Sequence, residues 1–495
     1  MFDLDGWKHE CGIVGIICRD KSHRIIDLLH RSLLSLQHRG QEAAGIALTD
    51  GEHVRKHKGW GTVGVALTDE ILTGLASDYN QKPFSPVMGV GHVRYSTAGR
   101  SDLRNAQPHF IEPYSGRIVL VSNGDVANYD EMHAFLTSQT PAVVLNTRND
   151  AEMILKTIEF FRVTQQVSLV QAIKLMAEKV RGTYSAILMT CDKMIAFRDS
   201  LGNRPFCWGR LGNTTIYASE TCVLDCVNAD YQGEVEPGQI IEHDLESGDT
   251  TTYNLPETNK AHCIFELIYF ARPDSFVFGE EVGTFRRRLG KILAENCSDL
   301  EAQFVSPVPD SGIFAALGFS EQSSIPLDWA IIKNAHVART FIIPGQENRV
   351  RAVGLKFNPT HGVWGSRDEP RTKGIFVDDS IVRATTTREL VRMLKRICQI
   401  VTGQLPEIHL RISSPPIRFS CHYGTNTPTS GELVANSHIR DGVVDVPSIA
   451  RFVGSKTLTY LSVDDVRSCV KCPGDYCYAC FNGEYPIGTK DSREV

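Results

Sequence analysis

Two adjacent carboxylates, Asp378 and Asp379, follow an apolar run in the segment GIFVDDSIVRATTTREL. The run is typical of a buried strand, and the residues from 385 onward have the apolar spacing of a helix. Ligands of open α/β sheets bind at the carboxyl ends of strands, where these acids would lie. Adjacent carboxylates at such a position are suited to Mg²⁺ and to ribose hydroxyls.

The loop between the acids and the helix contains Arg383, Ala384, Thr385, Thr386 and Thr387. Backbone N–H groups at a helix start, together with threonine hydroxyls, can bind a phosphate. An ordinary acidic turn with a threonine cap is the alternative. The order strand, acids, hydroxyl-rich loop and helix favours a phosphorylated sugar, and the missing G-K-[ST] motif excludes a P-loop.

Cys11 stands directly before an apolar strand pattern in GWKHECGIVGI. The ten residues ahead of it are mixed and acidic, which excludes a secretory signal. If they were removed, Cys11 would carry a thiol nucleophile and an α-amine, whose pKa of about 8 suits a base. The alternative is a strand cysteine behind a frayed terminus.

Fourteen cysteines are many for a protein without a secretory signal, where disulfides are rare and metal binding or catalysis is the usual reason. Four of them are concentrated in the stretch CVKCPGDYCYAC, at positions 469, 472, 477 and 480. This spacing is compatible with a metal site in the tail.

Composition limits the function classes. The chain has 495 residues, 42% of them hydrophobic, and a formal net charge of −6. Two large domains are expected at this length. The negative charge gives no electrostatic reason for nucleic acid as a partner, and no apolar run approaches the roughly 18 residues of a membrane helix. We therefore expect a cytoplasmic protein.

The element pattern changes along the chain. Short apolar strands dominate the first half, with two clear helices: one follows Ser22 as cap and stops at Gly40, and the other starts at Asn149 and Asp150. This predicts a layered α+β sandwich. A polar, turn-rich linker precedes a second half whose strand–loop–helix units predict a parallel α/β sheet.

Motifs from both halves resemble the amidophosphoribosyltransferases, the glutamine-dependent enzymes that open purine synthesis. The resemblance runs from Cys11 to Pro486 through the segments CGIVGI, QHRGQEAAGIA, GHVRYSTAG, NAQPHF, CIFELIYFARPDS, VDDSIVRATTT and YCYACFNGEYP. It implies a propeptide 1–10, an N-terminal-nucleophile (Ntn) glutaminase αββα sandwich over 11–246 and a linker 247–262. A type I phosphoribosyltransferase domain over 263–460 and a cysteine-bearing tail 461–495 follow.

The resemblance also implies roles in the first half. Cys11 would be the nucleophile, and Asn123 and Gly124 would form the oxyanion hole. Arg94 would hold the carboxylate of the substrate glutamine, and Asp150 its ammonium group.

In the second half, ammonia would displace pyrophosphate from C1 of phosphoribosyl pyrophosphate. The resemblance implies that Ser311, Asp378 and Asp379 hold Mg²⁺, while Arg383 to Thr387 bind the substrate. Lys356 and Arg349 fall in the family's mobile loop.

The cluster-bearing branch of the family implies a [4Fe–4S] centre on four thiolates, Cys263, Cys421, Cys477 and Cys480. The rival is a local zinc knuckle in the tail that also uses Cys469 and Cys472. The family further implies purine nucleotides as feedback inhibitors and a homo-oligomer, either a dimer or a tetramer.

Several positions depart from the family pattern: Ser122, Asp125, Ile343, Gly345 and Ala384. These departures leave a second class open, a catalytically weakened paralogue that binds a nucleotide or sugar phosphate and regulates. Ala384 stands where glycine is usual. If its φ is positive, alanine costs about 1–2 kcal/mol there; with an ordinary negative φ it only adds a methyl group.

Overall fold

The computed structural model describes residues 11–77, 84–95, 102–113, 116–297, 301–335, 354–425, 427 and 429–488. The predicted propeptide 1–10 lies outside these residues, as do Ile343, Gly345 and Arg349. Within the described ranges, no helix has both the length and the apolar character needed to cross a bilayer.

The first half forms two antiparallel sheets. Its strands are β1 Gly12–Ile17, β2 Ala43–Thr49, β3 Val54–Trp60, β4 Met88–Arg94, β5 His109–Ile111, β6 Ile118–Val126, β7 Gly182–Met189, β8 Lys193–Arg198, β9 Cys207–Leu211, β10 Thr214–Ala218, β11 Asp230–Glu234, β12 Gln239–Asp244 and β13 Thr250–Asn254. The first sheet has the order β11-β9-β10-β1-β4-β2-β3, and the second has the order β13-β12-β8-β7-β6-β5.

Helices cover the outer face of each sheet. They are α1 Ile25–Ser35, α2 Val63–Ala66, α3 Asp69–Ala76, α4 Tyr129–Thr137, α5 Asp150–Gln165, α6 Leu169–Lys179 and α7 Cys222–Val227, with a 3₁₀ turn at Leu103–Asn105. Strand β1 shows why the layers form: Ile13 and Ile17 face the core between the sheets, and Val14 and Ile16 face the helices. The predicted αββα sandwich is confirmed.

Two details of the first helix prediction are wrong. Helix α1 begins at Ile25 with Arg24 at its N-cap, so Ser22 does not cap it. It ends at Ser35, before Gly40. A Cβ at Gly40 would lie 2.6 Å from the backbone carbon of Arg94, so this glycine permits close packing against β4. The second prediction is confirmed, because Asn149 caps α5 by accepting from the Ala151 N–H at 2.9 Å.

The second half is built on a four-stranded parallel sheet. The strands of this half are β14 His262–Cys263, β15 Phe276–Val277, β16 Glu280–Glu281, β17 Phe304–Pro307, β18 Ile331–Lys333, β19 Phe357–Pro359, β20 Lys373–Asp378, β21 Glu407–Ile412, β22 Ile439–Arg440, β23 Val443–Val444, β24 Thr457–Tyr460 and β25 Tyr476–Cys477. The main sheet has the order β17-β20-β21-β24, and all its neighbours are parallel.

The helices of this half are α8 Val282–Glu295, α9 Ile313–Ser323, α10 Thr385–Thr402, α11 Val434–Ser437, α12 Val446–Val453, α13 Val463–Ser468 and α14 Ala479–Asn482. A π-helix covers Glu266–Phe270, and short 3₁₀ turns cover His361–Trp364, Ser430–Glu432 and Pro473–Asp475. Helices α8 and α9 share one core with the sheet, and α10 and α12 share another, which confirms the predicted α/β layer order.

The predicted linker 247–262 contributes to the first half. Strand β13 pairs with β12 in antiparallel register, from Gln239 opposite Asn254 to His243 opposite Thr250. Threonine favours strands and its hydroxyl can face water, so this polar segment can form an exposed edge strand of the sheet.

Candidate active sites in the two halves

Cys11 lies immediately before β1 and is half-buried. Its sulfur lies 3.9 Å from the carbonyl oxygen of Tyr95, and its own carbonyl accepts from Arg39 Nε at 3.1 Å. Burial raises the pKa of the Cys11 thiol, although the Tyr95 contact and the charges of Arg94 and Arg39 oppose the shift. Such a thiol needs a nearby base to become a thiolate, the role that an α-amine could fill.

Arg94 ends β4, beside the strand that Cys11 precedes. Its side chain is buried, with Nη1 at 3.9 Å from Glu42 Oε2 and without a hydrogen bond to any described residue. A buried guanidinium with an unused N–H can bind a carboxylate strongly.

Asp150 is the first residue of α5. The preceding Asn149 caps the helix and also donates from Nδ2 to the carbonyl oxygen of Asn105 at 2.9 Å. The charge of Arg94 reaches Asp102, close to Asn105 in the chain. Arg94 and the start of α5 therefore both lie near the segment 102–105.

Asn123 and Gly124 lie in β6, across the inter-sheet core from β1. Asn123 is 2% exposed, and its Nδ2 has no hydrogen-bond partner among the described residues. A Cβ at Gly124 would lie 1.9 Å from the carbonyl oxygen of Thr183, so the approach of β7 requires glycine. A buried amide donor without a partner is suited to an oxyanion that forms during reaction.

Gln107 is a residue of this site that sequence reasoning missed. Its Oε1 accepts from the Ser122 N–H at 2.7 Å, and its Nε2 donates to the Ser122 carbonyl oxygen at 3.0 Å. The motif NAQPHF contained the residue, but only the fold brings it to the strand that carries Asn123.

The second site lies at the carboxyl edge of the parallel sheet. Asp378 ends β20 and Asp379 follows it, while Ser311 lies in the turn after the neighbouring β17. The Asp379 N–H donates to Asp378 Oδ1 at 3.0 Å, and Ser380 Oγ donates to Asp379 Oδ2 at 2.6 Å. The three predicted magnesium ligands therefore follow neighbouring parallel strands at the same edge of the sheet.

The loop after the acids has an unusual backbone. Ala384 adopts φ 59° and ψ 5° at the N-cap of α10, so of the two alternatives left open by the sequence the structure has the left-handed one. Arg383 Nη2 lies 3.0 Å from Glu432 Oε1. The buried Oγ1 of Thr386 has no partner within the described part of the chain, which leaves it available to a phosphate oxygen.

A third region, where β14 meets β25, brings four cysteines from distant parts of the chain near one another. Strand β14 pairs with β25 in parallel, which puts Cys263 opposite Cys477. Burial raises the pKa of the Cys480 thiol well above its ordinary value, and negative charge on the nearby Cys263, Cys477 or Cys421 would raise it further. The Tyr423 N–H donates to Cys421 Sγ at 3.4 Å. Burial raises the pKa of Cys263 and of Cys477 to about 12, so their ionisation would need a strong cationic partner.

The two predicted metal centres differ in whether they use Cys469 and Cys472. Among the described residues, no three Cys, His, Asp or Glu side chains converge closely enough to hold a single ion. Cys469 packs near Arg288 and Glu280 instead, and Cys472 is exposed. Cys469 and Cys472 therefore stand apart from Cys263, Cys421, Cys477 and Cys480.

A buried ion cluster joins the two halves beside Cys11. Arg39 contacts Glu220 and Glu266, each at 2.6 Å, and Arg204 lies 3.7 Å from Glu266. Burial alone would raise the pKa of Glu220, but the charges of His38 and Arg39 hold it well below its ordinary value. Since Glu266 opens the π-helix of the second half, the residue that binds the Cys11 carbonyl is anchored in both halves.

Comparison with known proteins agrees with this geometry. Residues 92–225 match the family model of a glutamine amidotransferase domain. The chain is 38% identical over 484 residues to amidophosphoribosyltransferase 1, chloroplastic, of Arabidopsis thaliana. The aligned region covers 97% of this chain and 79% of that protein. The chain is 37% identical over 482 residues to the amidophosphoribosyltransferase of Methanothermobacter thermautotrophicus, covering 97% and 95%.

The chain belongs to the amidophosphoribosyltransferase family.

Solved structures extend the likeness to the whole fold. A glutamine phosphoribosylpyrophosphate amidotransferase from B. subtilis, complexed with ADP and GMP, superposes with a TM-score of 0.83 at 35% identity, covering 97% of this chain and 98% of that one. A structure of the allosteric regulatory enzyme of purine biosynthesis gives a TM-score of 0.84 at 35% identity, with 97% of both chains covered. The predicted fold class, a glutaminase sandwich followed by a phosphoribosyltransferase domain, is confirmed.

Membership in the amidophosphoribosyltransferase family also confirms the predicted activity. The chain is a glutamine-dependent transferase that acts on phosphoribosyl pyrophosphate in the first step of purine synthesis. These comparisons give no support to the weakened regulatory paralogue.

Proposed function

We propose that glutamine is hydrolysed at Cys11 and that the released ammonia reacts with phosphoribosyl pyrophosphate at the Asp378–Asp379 edge. The observation that carries this assignment is the buried Asn123 Nδ2, which has no described partner in the strand facing β1. A buried amide donor in this strand would stabilise the tetrahedral oxyanion of a reaction at Cys11.

In the proposed first step, removal of residues 1–10 exposes the α-amine of Cys11. The amine takes the thiol proton as sulfur attacks the glutamine amide carbon, and Asn123 with the Gly124 N–H stabilises the oxyanion. The proton passes to the departing ammonia. Water then cleaves the glutamyl thioester, which releases glutamate and restores the thiol.

In the second step, ammonia attacks C1 of the ribose, the C1–pyrophosphate bond breaks, and the new amine loses a proton. Arg94 and Asp150 hold the glutamine backbone in the first site, while the loop Arg383–Thr387 holds the sugar phosphate in the second. Ser311, Asp378 and Asp379 would hold Mg²⁺, which neutralises charge on pyrophosphate. The products are 5-phosphoribosylamine, glutamate and pyrophosphate.

Three further assignments complete the proposal: a metal cluster, the regulators, and the assembly with its location. Cys263, Cys421, Cys477 and Cys480 would bind a [4Fe–4S] cluster that joins β14 of the second half to the tail. Because the similar B. subtilis enzyme was solved with ADP and GMP, we also propose purine nucleotides as regulators of this chain. A homo-oligomer in the cytoplasm remains part of the hypothesis.

The direct test is pyrophosphate release by anaerobically purified protein given glutamine, Mg²⁺ and phosphoribosyl pyrophosphate. We expect release that requires both organic substrates. Binding of phosphoribosyl pyrophosphate without turnover, under conditions where free ammonia is also inactive, would instead indicate the regulatory paralogue.

Replacing Ala384 by glycine tests the phosphate loop. The left-handed conformation costs alanine about 1–2 kcal/mol, whereas loss of its buried methyl group costs about 0.8 kcal/mol. Strain of this size lowers the fraction of free protein whose loop has the binding conformation. We therefore expect phosphoribosyl pyrophosphate to bind the glycine variant more tightly, by no more than about tenfold, with glutaminase activity unchanged. Isothermal titration of both forms with Mg²⁺ measures the difference.

Ser324→Gly is the matched control for this variant. Ser324 adopts φ 59° and ψ 14° at the C-cap of α9, the end of that helix opposite the Ser311 turn. Relief of strain there should alter thermal stability but leave the affinity unchanged. Equal affinities of wild type and Ala384→Gly would show that the strain does not oppose binding.

A further inference from the structure

The segment Leu103–Pro108 passes between the two sheets of the glutaminase half. On one side, a Cβ at Gly45 of β2 would lie 2.3 Å from the Gln107 carbonyl oxygen. On the other side, the Gln107 side chain forms both of its hydrogen bonds with the backbone of Ser122 in β6. Gln107 therefore contacts both sheets, one through its carbonyl oxygen and the other through its side chain.

Two more contacts fix the same segment. Lys58 Nζ donates to the Ala106 carbonyl oxygen at 2.7 Å, and Asn149 Nδ2 donates to the Asn105 carbonyl oxygen at 2.9 Å. Lys58 lies on β3 directly opposite Gly45, so it approaches the segment from the first sheet. Asn149 approaches it from the start of α5, next to Asp150.

These contacts converge on the groups that would act on glutamine. Ser122 directly precedes Asn123 and Gly124, so a shift of its peptide moves the amide donor and the N–H donor together. A displacement of a few tenths of an ångström is enough to weaken oxyanion binding, because hydrogen-bond strength depends steeply on geometry.

We propose that Gln107 is a positioning residue of the glutaminase reaction, which sets the oxyanion pair Asn123 and Gly124 through its two hydrogen bonds to Ser122. The segment Leu103–Pro108, held by Lys58 and Asn149, keeps Gln107 in place. This inference rests on the proposed roles of Asn123 and Gly124.

Gln107→Met preserves the side-chain length and removes both hydrogen bonds. We expect glutaminase kcat to fall by roughly ten- to a hundredfold, less than the loss of an oxyanion donor itself, with KM for glutamine nearly unchanged. Ammonia-dependent activity and the rate of Cys11 alkylation by iodoacetamide should match those of the wild type. An unchanged kcat, in a protein whose wild type hydrolyses glutamine, would overturn the inference.

A second variant, Gln107→Glu, tests the role of Gln107 through the pH dependence of kcat, which a purely structural role would leave unchanged. An ionised carboxylate still accepts from the Ser122 N–H but repels the Ser122 carbonyl oxygen, whereas the protonated acid can form both bonds. The ratio of variant to wild-type kcat should therefore rise as the pH falls from about 8 to about 5.5, since carboxyl protonation increases in that direction. For Gln107→Met the ratio should stay flat.

Other charged or titrating groups lie around this segment: Lys58 on β3, His92 and Arg94 on β4, His109 on β5, Glu152 on α5, and Asp102 just before the segment. They are present in every protein compared, so the ratio to wild type largely removes their contribution. A flat ratio for Gln107→Glu would contradict the two-bond role of Gln107.

Gln303→Met is the control for loss of a bridging glutamine. Gln303 Oε1 accepts from the Thr372 and Lys373 N–H groups at 2.7 and 3.0 Å, at the amino end of β20. We expect lower thermal stability and unchanged glutaminase kcat. If Gln303→Met and Gln107→Met lowered kcat equally, general destabilisation would explain both. If wild type itself released no glutamate, the proposed function would fail instead.

A paired comparison on β3 tests the rest of the segment. Lys58→Met removes the bond to Ala106 and should lower glutaminase kcat severalfold. Lys56→Met, on the same strand, removes only an ammonium that lies 3.3 Å from the centre of the Phe110 ring and should change it little. Equal kcat values for the two variants would remove Lys58 from the proposal.

Discussion

Replacing Cys11 by alanine will abolish glutamine-dependent formation of phosphoribosylamine, while activity with free ammonia at high pH will persist. The first result follows because no other described thiol lies at this end of β1 next to Arg94 and Arg39. The second follows because the parallel sheet of the other half carries all residues assigned to the sugar substrate. Glutamate and pyrophosphate release, measured separately, will distinguish the two activities.

Cys191→Ala is the matched control. Cys191 is a half-buried thiol of the same half, whose sulfur also lies near a backbone carbonyl oxygen, that of Glu52 at 3.5 Å. Its removal should leave both activities intact. Mass spectrometry of the wild type should find Cys11 as the first residue, and a chain that keeps residues 1–10 yet hydrolyses glutamine would refute the terminal-amine mechanism.

Replacing Cys263 by serine will remove the iron and destabilise the tail. Anaerobically purified wild type should be brown and contain about four irons per chain. The variant should be colourless, because one ligand is lost from a site where β14 and β25 meet only at two residue pairs. Iron analysis, the visible absorption spectrum and limited proteolysis of residues 461–495 will measure these changes.

Cys469→Ser serves as the control for the cluster, because Cys469 is buried near Arg288 and Glu280 rather than beside the four interacting thiols. It should retain iron and colour. A colourless wild type that contains one zinc and tolerates Cys263→Ser would refute the cluster and favour the local zinc knuckle.

Local sequence determined those parts of the fold whose contacts lie close together in the chain. The order of strand, Asp378–Asp379, loop and helix predicts the edge of a parallel sheet, because each element is specified by its own periodicity and turn residues. The Asn149 cap of α5 was predictable for this reason as well. The sequence pointed to Ala384 as a position to test, and the structure showed that its φ is positive.

Cysteine grouping shows the limit of local reasoning. Spacing alone unites Cys469 and Cys472 with Cys477 and Cys480, and only the family resemblance pointed to Cys263 and Cys421. The structure pairs Cys263 with Cys477 across 214 positions, because the short strands β14 and β25 lie side by side in parallel.

Only the tertiary structure identified Gln107, the Arg39 ion cluster and the strand in the predicted linker. Gln107 looks like any polar loop residue until the packing of two sheets brings it to Ser122. Arg39 looks like a surface charge after a helix until Glu220 and Glu266 surround it. Their roles depend on which distant surfaces meet, and that is decided by burial of the apolar faces of whole sheets and helices, not by neighbours in the chain.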